Sequence, residues 1–80
     1  MENRKHPRHR TLKAGKIIFN QKFSAVSCLV RNLSDAGACL ELSSSVGVPD
    51  SFDLSVEVDG WSRSCDVAWR SEQRIGVAFR

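Results

Sequence analysis

Apolar and polar residues alternate along this chain in short bursts, and each burst is broken by a cluster of turn formers. The clearest burst is Phe52-Asp53-Leu54-Ser55-Val56-Glu57-Val58, where every second residue is apolar, as in a strand with one buried and one solvated face. Asp59-Gly60 follows at once, a dipeptide favoured in type I′ hairpin turns because both central residues need positive φ. Residues 61–69 return as a fifth strand, and its two tryptophans, Trp61 and Trp69, are suited to stacking on a base but are expected to pack in the barrel, Trp69 above all in the core. Upstream, residues 11–19 read as a strand ending at the polar turn Asn20-Gln21-Lys22, and residues 23–33 as a second. Residues 38–42 resume the alternation after Ser34-Asp35-Ala36-Gly37. The longest connection, residues 43–51 with Gly47 and Pro49, precedes the fourth strand, and residues 74–79 supply a sixth. No segment carries a helical period.

Short strands joined by tight turns exclude a parallel sheet, because parallel crossovers need about a dozen residues or more. The pattern therefore predicts an all-β fold, a small six-stranded antiparallel β-barrel, which also abolishes exposed sheet edges. Eighty residues hold one domain with one core. No apolar run approaches the roughly 20 residues of a membrane span, and the basic N-terminus is followed by no signal-peptide core, so a cytoplasmic location is expected. Cys28, Cys39 and Cys65 are odd in number and form no C-x-x-C pair, which argues against a disulfide framework or a zinc site. They are expected as reduced, buried side chains.

Charge divides the chain. Residues 1–22 carry seven Lys and Arg against Glu2 alone, whereas the remainder carries five Arg against eight carboxylates. A basic arm, residues 1–10, is thus expected to extend flexibly from a barrel of residues 11–80 and to meet an anion, phosphate above all. Arg4 and Arg8 stand in an R-x-x-x-R spacing, with Arg10 just beyond. Pro7 disfavours a helix at His6, so the two arginines are suited to clasping a ligand rather than sharing a helix face. An arginine fork grips phosphate bidentately, pairs with guanine O6 and N7, or stacks on a purine.

The second constellation is Asn32-Leu33-Ser34-Asp35-Ala36-Gly37, where the second strand turns into the third. Asn32 and Ser34 share strand parity, with Leu33 pointing into the barrel, and Gly37 permits a positive φ or a close backbone approach. An Asn can accept from guanine N1–H or N2–H2, and a Ser hydroxyl can bond a phosphate or an arginine. An ordinary turn uses the same residue types for backbone reasons.

Together the R-x-x-x-R arm and the following N-x-S-x-x-G resemble the PilZ family, and the likeness continues through residues 37–42, 67–70 and 75–79. The resemblance implies a bacterial second-messenger receptor, a six-stranded barrel that binds cyclic di-GMP without chemistry of its own. It implies that Arg4 and Arg8 contact guanine and phosphate, that Asn32, Ser34 and Gly37 supply the strand-edge contacts, and that Arg10 helps neutralise phosphate. No cofactor or metal is called for beyond that ligand, and a downstream protein partner is expected.

Other residue types add little chemistry. His6 and His9 read as exposed spectators, and the carboxylates alternate along strands as on a solvated face, with no pair disposed for acid–base work. An enzyme is therefore disfavoured. Two alternatives remain beside the receptor: a small basic barrel binding nucleic acid, which the mildly acidic body opposes, and a PilZ-like protein-interaction module without nucleotide, which the intact motifs oppose.

Overall fold

A computed structural model describes residues 9–80 of the protein, with side chains from residue 11 onward. Six strands follow in order: β1 His9–Phe19, β2 Ser24–Leu33, β3 Gly37–Glu41, β4 Ser51–Val56, β5 Trp61–Arg70 and β6 Arg74–Phe79. They close into an antiparallel barrel in the order β1-β2-β3-β6-β5-β4, with β4 returning to β1. The expected six-stranded barrel is the fold observed.

Alternation builds the core. Ile17, Val30, Leu40, Leu54, Val56, Cys65 and Ile75 are fully buried, and Phe19, Val26, Leu33, Trp61, Val67 and Phe79 pack against that cluster. All three cysteines are free and buried. Burial pushes the Cys28 and Cys65 thiols up to about 11, and the nearby Cys65 adds to the rise at Cys28. They behave as small apolar side chains.

Three irregularities interrupt the alternation, between Arg10 and Lys13 on β1, between Val30 and Asn32 on β2, and between Val67 and Trp69 on β5. Each is a bulge, where one strand advances by an extra residue and its side chains exchange faces. This overturns the expectation for Trp69. Val67 packs on the core, but the extra residue Ala68 turns Trp69 outward, where it is 48% exposed. Trp61, on the unbroken stretch of β5, is the tryptophan that packs inward, edge-on to Phe79 with ring centroids 6.0 Å apart.

The β4–β5 connection also differs from expectation. β4 stops at Val56, which pairs with Trp61, and Glu57–Asp59 form a 3-10 turn closed by Gly60 in the left-handed region at φ 71°. Asp59 does not share the positive φ that a type I′ turn would need. Val58 continues the sequence alternation but pairs with no strand among the described residues and is 76% exposed. Asp59 instead finds Lys13 across the barrel seam at 2.5 Å. At the β1–β2 turn, Asn20, Gln21 and Lys22 all adopt positive φ of 55°, 54° and 73°.

The long β3–β4 loop seals one end of the barrel. Leu42 and Val48 are buried there, and the Leu42 and Ser45 amides donate to the Gln73 and Glu72 carbonyls at 3.0 and 2.8 Å. Ser45 Oγ donates to the Ser71 carbonyl at 2.7 Å. Arg70 locks the loop by donating to the carbonyls of Ser45 and Val48 and to the Asp50 carboxylate, at 3.2, 2.9 and 2.8 Å.

Candidate functional site

The second motif lies at the opposite end, where β2 turns into β3. Ser34 organises that turn. Its amide donates to the Gly37 carbonyl at 2.9 Å, and its hydroxyl oxygen accepts from the amides of Ala36 and Gly37 at 3.2 and 3.3 Å. The hydroxyl proton reaches only the Gly37 carbonyl, at 3.4 Å, and is weakly held. Gly37 is demanded by packing, since a Cβ there would lie 2.0 Å from the Val77 carbonyl oxygen on β6. Of its two anticipated roles, a close backbone approach is the one observed, and φ is not positive.

Asn32 owes its direction to the β2 bulge. Val26, Cys28 and Val30 face the core, and simple alternation would carry Asn32 inward with them. The extra residue reverses the faces, so Leu33 packs on the core and Asn32 lies half-buried on the outer face. Strand pairing then sets a row across the barrel: Arg10 opposite Asn32, Asn32 opposite Cys39, Cys39 opposite Gly76, and Gly76 opposite Trp69. With strands about 4.8 Å apart, the row spans about 14 Å from Asn32 to Trp69. Cys39 and Gly76 at its middle are buried, and the missing side chain of Gly76 leaves room for its neighbour. The Trp69 indole covers Gly76 so closely that a Cβ there would lie 2.1 Å from Nε1.

Arg4 and Arg8 lie outside the described residues, and of Arg10 only the backbone is described. The pairing of His9 with Leu33 and Arg10 with Asn32 nonetheless brings the root of the arm against the second motif. The row thus unites Arg10 and Asn32, while Ser34 and Gly37 shape the adjoining turn.

A cleft of about 550 Å3 opens at the barrel mouth behind that turn, lined by Lys13, Leu33, Ser34, Trp61, Arg63 and Phe79 among others. Arg63 lies 4.4 Å above the Phe79 ring and donates to the Asp35 carbonyl at 3.5 Å. The expectation of barrel packing set aside Trp69 as a stacking residue, and the aromatic mouth was not foreseen. A tryptophan facing a glycine on the neighbouring strand is the signal that points to Trp69, but it is visible only once register is known. Arg63 carries no sequence signal.

Among the described residues there is no cluster of three or more His, Cys, Asp or Glu side chains disposed to hold a metal ion. No described helix is long and apolar enough to cross a membrane. No curated protein matches the chain. The family model for the PilZ domain does, over residues 2–80, which takes in the arm, the Asn32 motif and all six strands. The PilZ family comprises cyclic di-GMP receptors, binding domains rather than enzymes, and by this match over essentially its whole length the chain belongs to the PilZ domain family.

Proposed function

We propose that the protein binds cyclic di-GMP across the outer row from Arg10 to Trp69 and passes the signal to a protein partner as a non-enzymatic adaptor. Arg4 and Arg8 clasp the ligand from the arm, Arg10 neutralises phosphate, and Asn32 accepts from the guanine edge. Ser34 turns its weakly held hydroxyl proton to a phosphate oxygen, and Gly37 keeps the turn close against β6. Trp69 offers an exposed aromatic face on which a guanine stacks.

The observation that carries this reading is the pairing of Arg10 with Asn32, which joins the two motifs at one end of a row that finishes in an exposed indole. An arm rich in arginine, a guanine-matching amide and a stacking ring are the chemistry that a cyclic guanine dinucleotide requires. Calorimetric titration of the full chain with cyclic di-GMP, beside cyclic di-AMP, GTP and single-stranded DNA, tests it. Heat with cyclic di-GMP alone is the expected result, lost in Arg8→Ala. Asn32→Asp should retain guanine preference because Asp also presents acceptors, whereas Asn32→Ala should lose it at a cost of about 1–3 kcal/mol. DNA binding with a steep salt dependence, or full affinity in Arg8→Ala, would overturn the assignment.

A further inference from the structure

Beside the outer row stands a cluster in which two cations share one anion. Glu41 on β3 pairs with Arg74 on β6, and Arg31, the extra residue of the β2 bulge, reaches over the same face to meet them. Both guanidiniums converge on Glu41 Oε1, Arg31 Nη1 at 3.0 Å and Arg74 Nη2 at 3.5 Å. Neither comes within ion-pairing distance of another carboxylate among the described residues, Glu72 two positions before Arg74 included. Two guanidiniums against one carboxylate leave one positive charge uncompensated.

The cluster adjoins the middle of the row. Leu40 and Ile75 are fully buried, so Glu41 shares the outer face with Cys39, and Arg74 shares it with Gly76. Each lies two residues, about 7 Å, along its strand from the row, and Arg31 precedes Asn32 in the chain. On the other flank the equivalent positions are Gly37 and Ala78, which bear no charge. Arg70, next to Trp69, is occupied by the β3–β4 loop.

We propose that Arg74 is a further ligand-binding residue, which leaves Glu41 for the second phosphate of the cyclic dinucleotide while Arg31 stays and keeps the carboxylate neutralised. This rests on the reading that the ligand lies along the outer row. Arg10 and the arm stand at the Asn32 end, so a second phosphate farther along the row needs a cation of its own. Arg74 is the one free to move: its contact with Glu41 is the longer, and its side chain is 52% exposed against 38% for Arg31, which holds Glu41 by a hydrogen bond. Exposed ion pairs are weak, so the exchange opposes binding little. A single arginine on Glu41 could not do this, because its departure would leave a bare carboxylate beside the phosphate. The second arginine is what makes the first available.

Calorimetric titration of the full chain with cyclic di-GMP tests the exchange. Arg74→Gln should weaken binding about tenfold, since a charged contact to phosphate is lost, and Arg31→Gln about threefold. Glu41→Gln should strengthen it about threefold, because no carboxylate then competes for the guanidinium. In Arg74→Gln/Glu41→Gln that gain should disappear, since the exchange couples the two positions whereas a summed surface field would add them. Of the two phosphate signals in 31P NMR of the bound ligand, Arg74→Gln should move one. Thermal melts close to wild type, expected for side chains this exposed, show that the variants are folded. Unchanged affinity in Arg74→Gln, equal losses from Arg31→Gln and Arg74→Gln, a Glu41→Gln gain that persists without Arg74, or two unmoved phosphate signals would each overturn the proposal and leave the outer-row reading standing. Failure of the unmodified chain to bind cyclic di-GMP would instead remove that reading, and the proposal with it.

Discussion

The two ends of the barrel use the same residue types for opposite purposes. At the sealed end Arg70 spends its guanidinium on carbonyls and a carboxylate of the β3–β4 loop, Ser45 is buried with its hydroxyl donating to Ser71, and Val48 fills the opening. At the mouth Arg63 rests on an aromatic ring with one long contact to a carbonyl, and the Ser34 hydroxyl proton is weakly held. The first end satisfies its polar groups internally and the second leaves them with capacity. A closed end stabilises the barrel, and an end with spare donors and cations is where a ligand or partner gains most.

The largest expected effect comes from Gly37→Ala at the mouth. Its Cβ would collide with backbone, which cannot rotate away, so β3 and β6 must separate at a cost of about 3 kcal/mol. A urea melt measures it, and a change below about 0.5 kcal/mol would mean that the turn is pliable and the mouth less defined than the sealed end. Arg70→Ala should cost about 2 kcal/mol, because three carbonyls and the Asp50 carboxylate lose a charged donor. Hydrogen exchange at Ser45 and Val48 should accelerate while the Ser34 turn stays protected. Loss of protection at both ends would show that they are not independent.

The interior between the ends responds to alkali. Burial raises the Cys28 and Cys65 thiols from 9.0 to about 11. Below pH 9 both folded and unfolded chains hold the protons, and stability is unaffected. From about pH 9 to 11 the unfolded chain ionises while the folded chain does not, so stability falls by about 1.4 kcal/mol per pH unit for each thiol, levelling above 11. Melts of Cys28→Ser/Cys65→Ser across that range should lack the slope. The smallest effect is that of Arg63→Gln, about 0.5 kcal/mol from the lost contact with Phe79. Its affinity for cyclic di-GMP should stay within about twofold if the ligand occupies the outer row. A larger loss would move the ligand toward the mouth.

Strand existence was legible because alternation and turn chemistry are local properties, and residues 52–56 announce a half-buried strand without help. Face was legible only up to the first bulge. Odd positions from Trp61 to Trp69 look equivalent, yet Trp61 packs inward and Trp69 outward, because the extra residue between them is fixed by pairing with β6. Around Asn32 the local reading held, with Leu33 inward and Asn32 on the other face, although the shift against β3 that reconciles this with inward Val30 was not visible. The motif around Asn32 could be recognised as a pattern. That Ser34 caps its own turn and that Gly37 exists for Val77 required the fold, since both depend on neighbours remote in sequence or on turn geometry. Val58 was misleading for a related reason: alternation persisted beyond the last pair of β4 and β5, Val56 with Trp61.

The bulges have a consequence for how such a surface changes during evolution. Substitution alters one side chain, but inserting one residue between Gly76 and Val77 would give Ala68 a partner, restore even alternation on β5, swing Trp69 into the barrel and throw Arg70 outward, dismantling the platform and the seal in one event. An insertion between Cys39 and Leu40 on β3 would do the same to Asn32. Binding here is therefore encoded partly in residue count, and gaps of a single residue between related barrels are the differences to inspect first when one member of the family has lost its ligand and another has kept it.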